Sequence, residues 1–76
     1  MILRVRFENC GNNLCATVTE HMHGVVGVTA MNIDELKKNV AESVKFHIEG
    51  LVEDGEDIPQ WLRDGNYEFE WFDLSI

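Results

Sequence analysis

The fold is decided by one stretch, residues 32–51, which reads NIDELKKNVAESVKFHIEGL. Apolar side chains recur in it at spacings of three and four, the period of one face of an α-helix; they are Ile33, Leu36, Val40, Val44, Ile48 and Leu51. Asn32 precedes Glu35 by three residues, a spacing typical of a capped helix start. We therefore expect one long amphipathic helix whose apolar stripe covers a second layer of the fold.

The residues before this helix alternate between apolar and polar with the period of β-strands. Residues 2–8 and 14–19 are expected to form a hairpin, because Asn and Gly residues that favour turns separate them. Residues 25–30 predict a short third strand, in which Gly27 indicates a bulge or a close backbone approach. The expected inward side chains of the first two strands are all apolar: Leu3, Val5, Phe7, Leu14, Ala16 and Val18.

Residues 53–59, which read EDGEDIP, are expected to form a loop after the helix. Pro59 is expected to open a short turn that carries Trp61 and Leu62. Residues 67–71 alternate as a final strand, whose aromatic side chains face the helix. The element order is therefore β-β-β-α-β. This is an α+β fold with a three-stranded antiparallel meander, one long helix packed on the sheet, and a fourth strand that we expect to extend the antiparallel sheet.

Length and charge limit the possible functions. The chain has 76 residues and a formal net charge of −8, and we expect residues 1–76 to form a single domain. Nucleic-acid binding requires clustered Lys and Arg, so we expect no direct binding of nucleic acid by this chain alone. Residues 21–33, the longest uncharged stretch, are shorter than the roughly 20 apolar residues of a membrane span. The amino terminus has no signal-peptide pattern, which predicts a cytoplasmic location.

The two cysteines, Cys10 and Cys15, flank the first predicted turn. Small secreted domains that depend on disulfides usually carry four or more cysteines. A bridge between these two would close only a short loop and so stabilise the fold little. We therefore expect two reduced thiols.

Acidic residues are concentrated near the end of the chain, where Arg63 alone opposes them. They are Glu49, Glu53, Asp54, Glu56, Asp57, Asp64, Glu68, Glu70 and Asp73. Such a field suits a basic partner, although acids also serve simply to keep a small protein in solution. The candidate partner-binding residues are the four loop acids together with one aromatic anchor: Glu53, Asp54, Glu56, Asp57 and Trp61.

No catalytic residue, metal site or cofactor is predicted. The spacing of the loop acids does not fit an EF-hand. His21 and His23 flank Met22 and lack a fixed third ligand, so we interpret them as turn residues. The apolar inward positions of the strands leave no converging carboxylates of the kind a ribonuclease H requires. Phe72 is a further candidate for an interface.

Residues 32–44 and 50–59 together resemble the HicB antitoxin family. Its members typically show a capped helix of the form T-x-E-E-A-x-x-N-x-x-E-A and then an E-D-G-E-x-I-P loop, after a β-meander. The matching residues lie on both motifs and are Glu35, Asn39, Glu42, Glu53, Asp54, Gly55, Glu56, Ile58 and Pro59. Ala30 and Met31 stand where family members often have Gly-Asp.

The resemblance implies a partial ribonuclease-H-like sheet in a cytoplasmic, homo-oligomeric protein. Such a protein binds a small basic HicA-type ribonuclease toxin and neutralises it by occlusion, without chemistry of its own. Many relatives continue into a DNA-binding region. The alternative function is therefore a dimerisation or assembly domain of a transcriptional regulator, whose DNA-binding C-terminal region is absent from this chain.

Overall fold

The computed structural model describes residues 1–75 as a four-stranded sheet with one long helix on one face. Its elements are β1 (Ile2–Asn9), β2 (Leu14–Val18), β3 (Val26–Ala30), α1 (Ile33–Glu53), α2 (Gln60–Arg63) and β4 (Glu68–Asp73). The predicted β-β-β-α-β order is confirmed. Ile76, the last residue of the expected domain 1–76, lies outside the described residues. None of the helices within residues 1–75 is both long enough and apolar enough to cross a membrane.

The strand order in the sheet is β3-β2-β1-β4. β1 and β2 pair antiparallel, as do β2 and β3, but β4 lies parallel to β1, with Leu3 opposite Phe69 and Val5 opposite Trp71. The expectation of an antiparallel fourth strand is therefore wrong. The physical reason is that α1 carries the chain back along the sheet, so that β4 runs in the same direction as β1. β4 spans Glu68–Asp73, so it begins one residue later and ends two residues later than the expected residues 67–71.

β3 is regular along its whole length. Its pairing with β2 runs without interruption from Leu14 opposite Ala30 to Val18 opposite Val26. The bulge expected at Gly27 is therefore absent from the strand. A Cβ built on Gly27 would meet no atom within 4 Å, so no close backbone approach explains this glycine either.

Both ends of α1 are capped. The Asn32 side chain accepts a hydrogen bond from the Glu35 backbone N–H at 2.8 Å. At the other end Gly55 adopts a φ of +73°, and its N–H donates to the Val52 carbonyl. The N–H of Glu56 then donates to the Leu51 carbonyl, which completes a Schellman motif. The acidic loop therefore starts at a fixed point and in a fixed direction.

The core lies between α1 and the helix-facing side of the sheet. The buried side chains of the helix are Leu36, Val40, Val44, Ile48 and Leu51, and they pack against Leu3, Val5, Ala16 and Val18 of the sheet. Ile33 belongs to the predicted stripe but is 38% exposed, because it lies in the first turn at the end of the helix. Half-buried Tyr67, Phe69 and Trp71 pack against the same core, as expected.

The cysteines differ from the expectation. Cys10 and Cys15 form a disulfide, with their Cα atoms 6.0 Å apart, so the prediction of two free thiols is wrong. The Cys10 N–H donates to the Asn13 carbonyl at 2.8 Å, and Cys15 lies opposite Glu8 in the neighbouring strand. This tight hairpin brings both side chains to the same face at bridging distance. The number of cysteines in the chain carries no information about that local geometry.

Truncation of the helix stripe should destabilise the protein. We expect Leu36→Ala and Val44→Ala each to lower the free energy of unfolding by roughly 2–4 kcal/mol, because each leaves a cavity at a completely buried site. Ile33→Ala is the control and should lower it by less than about 1 kcal/mol, since this side chain is partly exposed. Urea denaturation followed by circular dichroism measures all three. Losses below about 0.5 kcal/mol for both core variants would mean that the buried face is assigned wrongly.

Two glycines of the same segment should respond to alanine with opposite signs. Gly50 lies inside α1 and Gly55 adopts a positive φ, and at neither position would an added Cβ meet an atom within 4 Å. Gly50→Ala should stabilise the protein by about 0.5–1 kcal/mol through helix propensity. Gly55→Ala should destabilise it by about 1 kcal/mol, because alanine is strained in the left-handed region. Thermal melts of the two variants provide the test, and equal effects would contradict it.

Candidate functional site

The acidic loop, residues 53–57, is exposed but fixed at both ends. The Schellman motif holds its start, and the buried side chain of Ile58 holds its end against the core. Four residues further on, the completely buried Leu62 anchors α2 in the same way. Because the backbone is held on either side, the carboxylates of Glu53, Asp54, Glu56 and Asp57 occupy a defined region of the surface.

Little within the protein neutralises this charge. The one ion pair among residues 1–75 joins His23 Nδ1 and Glu56 Oε2 at 3.6 Å, and both side chains are exposed. Such a pair at the surface contributes little and acts only when the histidine is protonated. The remaining loop carboxylates face solvent. The loop therefore presents a concentrated negative charge to any molecule that approaches it.

Trp61 extends this surface with an aromatic side chain. It lies on α2, just after the loop, and is half-buried against the core. The ring of His21 meets it edge-on, with 5.1 Å between the ring centroids. The structure thus brings all five predicted site residues into one region, whereas Phe72 lies apart, on the open face of the sheet beside Arg4.

Sequence reasoning missed the contribution of the turn between β2 and β3. His21 and His23 are turn residues, as predicted, and both adopt left-handed φ values of 62° and 53°. Between them the side chain of Met22 is completely buried in the core. His47 of α1 contacts the Met22 carbonyl oxygen through Nε2 at 2.5 Å. The turn therefore contacts three other elements. His23 contacts the acidic loop, His21 contacts α2, and Met22 contacts α1.

The only feature of the sequence that indicates this arrangement is a single apolar residue, Met22, between the two histidines of the turn. A period-two or period-3.6 pattern requires several apolar residues, so one isolated Met22 escapes it. The left-handed conformations on either side reverse the chain sharply, and the side chain between them is directed inward. The isolated methionine of a turn is therefore part of the core.

The candidate site consists of exposed carboxylates, a half-buried tryptophan and two turn histidines. Within residues 1–75 no group of three or more His, Cys, Asp or Glu side chains comes close enough together to hold a metal ion. Burial raises the pKa of the Tyr67 phenol above its ordinary value, which already lies well above physiological pH, so this group is neutral. Side chains of these kinds can contact another molecule through charge and through apolar burial.

Comparison with family models, with curated proteins and with solved structures finds no match for this chain. The resemblance to HicB proteins therefore rests on the two motifs within residues 32–59. The functional interpretation depends on these motifs and on the geometry of the acidic loop, the β2–β3 turn and α2.

The buried methionine of the turn provides a test of this geometry. Met22→Ala should lower the free energy of unfolding by about 2–5 kcal/mol, because it empties a site in the core. Met22→Leu conserves the volume and should cost less than about 1.5 kcal/mol. Chemical denaturation of both variants measures the difference. A loss below about 0.5 kcal/mol on Met22→Ala would show that the turn is not part of the core.

Proposed function

We propose that this chain is a HicB-like antitoxin module, which binds a small basic HicA-type ribonuclease and neutralises it by occlusion. The observation that carries the proposal is the acidic loop, whose four exposed carboxylates are anchored at both ends and largely unpaired. The β-β-β-α-β order supports it, because the HicB-like resemblance implies a meander, a capped helix and then this loop.

Long-range attraction is the first step of the proposed binding. The formal net charge of −8 raises the rate at which a basic protein encounters the chain, and the four carboxylates of the acidic loop orient that encounter. A fixed loop orients the partner better than a flexible one, because little conformational entropy is lost when it is held in place. The loop therefore determines mainly how fast the complex forms.

Short-range contact is the second step. The exposed part of Trp61 lies beside the loop, where a large aromatic side chain buries apolar area at the centre of an interface. Its contact determines how slowly the complex dissociates. In the proposed complex the antitoxin covers the catalytic surface of the ribonuclease and excludes RNA from it. The chain itself performs no chemistry.

The proposed setting is the cytoplasm, where such a toxin cleaves messenger RNA. Disulfides are rare in that compartment because glutathione and thioredoxin keep thiols reduced. In this setting the exposed bridge between Cys10 and Cys15 would open to two thiols. The pair lies on the hairpin between β1 and β2, so the proposed binding surface does not depend on it.

The proposal requires that a neighbouring gene encode a small basic HicA-type ribonuclease, and the kinetics with which this chain binds that protein provide the test. Neutralisation of the loop by Glu53→Gln, Asp54→Asn, Glu56→Gln and Asp57→Asn together should slow association by about tenfold or more at low salt. Raised salt should slow association of the unaltered chain and shrink the difference between the two proteins. The matched control removes four exposed acids elsewhere, by Glu8→Gln, Glu42→Gln, Glu68→Gln and Glu70→Gln.

The control separates net charge from position. An equal slowing in both quadruple variants would reduce the loop to one part of a general negative field and contradict its role as a site. Trp61→Ala should accelerate dissociation while association changes little, and Phe72→Ala, on the open face of the sheet, should change neither rate. An absence of binding by the unaltered chain would reject the antitoxin proposal.

A further inference from the structure

The two edges of the sheet are protected very differently. β4 forms one edge and carries Glu68, Glu70 and Asp73 along its six residues. β3 forms the other edge, and residues 24–33 around it contain neither a charged residue nor a proline. Proteins usually guard exposed edges with charges, prolines or bulges, because an unguarded edge pairs readily with another strand. β3 lacks all three of these devices.

The backbone of β3 is free to pair on its outer side. Ala16 of β2 lies opposite Val28, and Asn39 of α1 donates from its side chain to the Thr29 carbonyl at 3.3 Å. Backbone groups of alternate residues point to the same edge in an antiparallel pair, so Thr29 and Gly27 direct theirs away from β2. Asn39 engages one of these groups. The N–H groups of Gly27 and Thr29 and the Gly27 carbonyl are left for a further strand.

Large apolar side chains surround this edge. Val25 is 65% exposed and Met31 is 71% exposed, one residue before β3 and one residue after it. Phe46 of α1 is 79% exposed and lines a groove between the helix and the edge, together with Val26 and Gly27. Apolar groups of this size, placed together around free backbone donors and acceptors, are characteristic of an interface.

We propose that β3 pairs antiparallel with β3 of a second copy of this chain, about a two-fold axis at Val28. This register places Gly27 opposite Thr29 of the second copy, so that the Thr29 N–H donates to the free Gly27 carbonyl and the Gly27 N–H donates to the Thr29 carbonyl, which also accepts from Asn39. It also places Val25 opposite Met31 of the second copy. The two most exposed residues that flank the strand then cover each other on the open face of the sheet.

The residues that would pair along this edge are placed symmetrically about Val28, which favours a second copy of the chain over a different partner. Gly27 and Thr29 lie one residue either side of Val28, and Val25 and Met31 lie three residues either side. A two-fold axis exchanges the members of each pair, so a single patch satisfies itself. The pairing also extends the sheet to eight strands and covers the exposed Phe46 of each copy with the neighbouring helix.

Glu42 lines the groove beside β3 and Glu56 pairs with His23 of the turn that precedes it, so acidic side chains flank the proposed seam without lying on the strand itself. Each copy carries a net charge of −8, but the strand that pairs is uncharged. The acidic strand β4 lies three strand spacings from β3, roughly 14 Å away at the usual separation of strands. Salt screens the repulsion that remains between the two copies. This proposal does not depend on the proposed function.

Sedimentation equilibrium over protein concentrations from about 1 μM to about 1 mM is the experiment. We expect the weight-average mass of the unaltered chain to rise from 8.7 kDa toward twice that value. Val25→Lys with Met31→Lys places like charges opposite each other twice per dimer and should weaken dimerisation by about 100-fold or more. Val25→Lys with Met31→Glu places opposite charges there, keeps the net charge of the unaltered chain and should restore the dimer.

The matched control is Ile2→Lys with Leu74→Lys, which adds the same charge at two exposed apolar positions away from β3. It should leave dimerisation unchanged. Circular dichroism establishes that each variant folds. In the dimer the amides of Gly27 and Thr29 should exchange hydrogen more slowly than they do in the monomeric variant.

Three outcomes would overturn the proposal. The first is an unaltered chain that stays monomeric at the highest concentration. The second is a dimer that survives Val25→Lys with Met31→Lys. The third is a dimer lost equally in both charge variants, because only the proposed register distinguishes like from opposite charges at these positions.

Discussion

Leu36, Val40 and Val44 of α1 are completely buried against the sheet, and the rest of the structure depends on this contact. Within residues 1–75, α1 is the only long element that covers a face of the four strands. Its start is therefore fixed by the Asn32 cap and its end by Gly55, so that the apolar stripe lies over the sheet. The chain that leaves the helix begins an exposed loop in a set direction, and the two motifs that resemble HicB proteins lie within this one element and its exit.

Local pattern was enough to predict the helix, the hairpin and the fourth strand, because periodicity records which side chains are buried within an element. It was not enough to predict how elements combine. The direction of β4 depends on where α1 returns the chain, and no alternation within residues 67–71 encodes that. The disulfide depends on the geometry of the first hairpin, which places Cys10, one residue after β1, within bridging distance of Cys15 on β2.

The sequence was enough to predict the charged and aromatic residues of the candidate site, but not the β2–β3 turn that packs beside them. The acids of residues 53–57 and Trp61 were visible in the sequence, and the structure places them together. The support that they receive from the β2–β3 turn was not visible, because it depends on left-handed conformations at His21 and His23. These conformations direct Met22 into the core and bring one histidine to Glu56 and the other to Trp61. An exposed loop thereby acquires a rigid neighbour that its own sequence does not specify.

The charge distribution gives the two proposed surfaces, the acidic loop and the β3 edge, different modes of binding. The acids follow the helix, in residues 49–73, while residues 24–33 before it are uncharged. A charged surface attracts a partner from a distance and weakens as salt screens it, whereas an uncharged strand edge acts only on contact, through backbone hydrogen bonds and apolar burial. Salt therefore slows the proposed capture of a basic ribonuclease but eases the approach of two negatively charged copies. The His23–Glu56 contact places the acidic loop beside the turn that leads into β3, so each loop of the proposed dimer would lie near one end of the paired strands. In such an assembly the uncharged edge would join the copies, and the acidic loops beside it would select the partner.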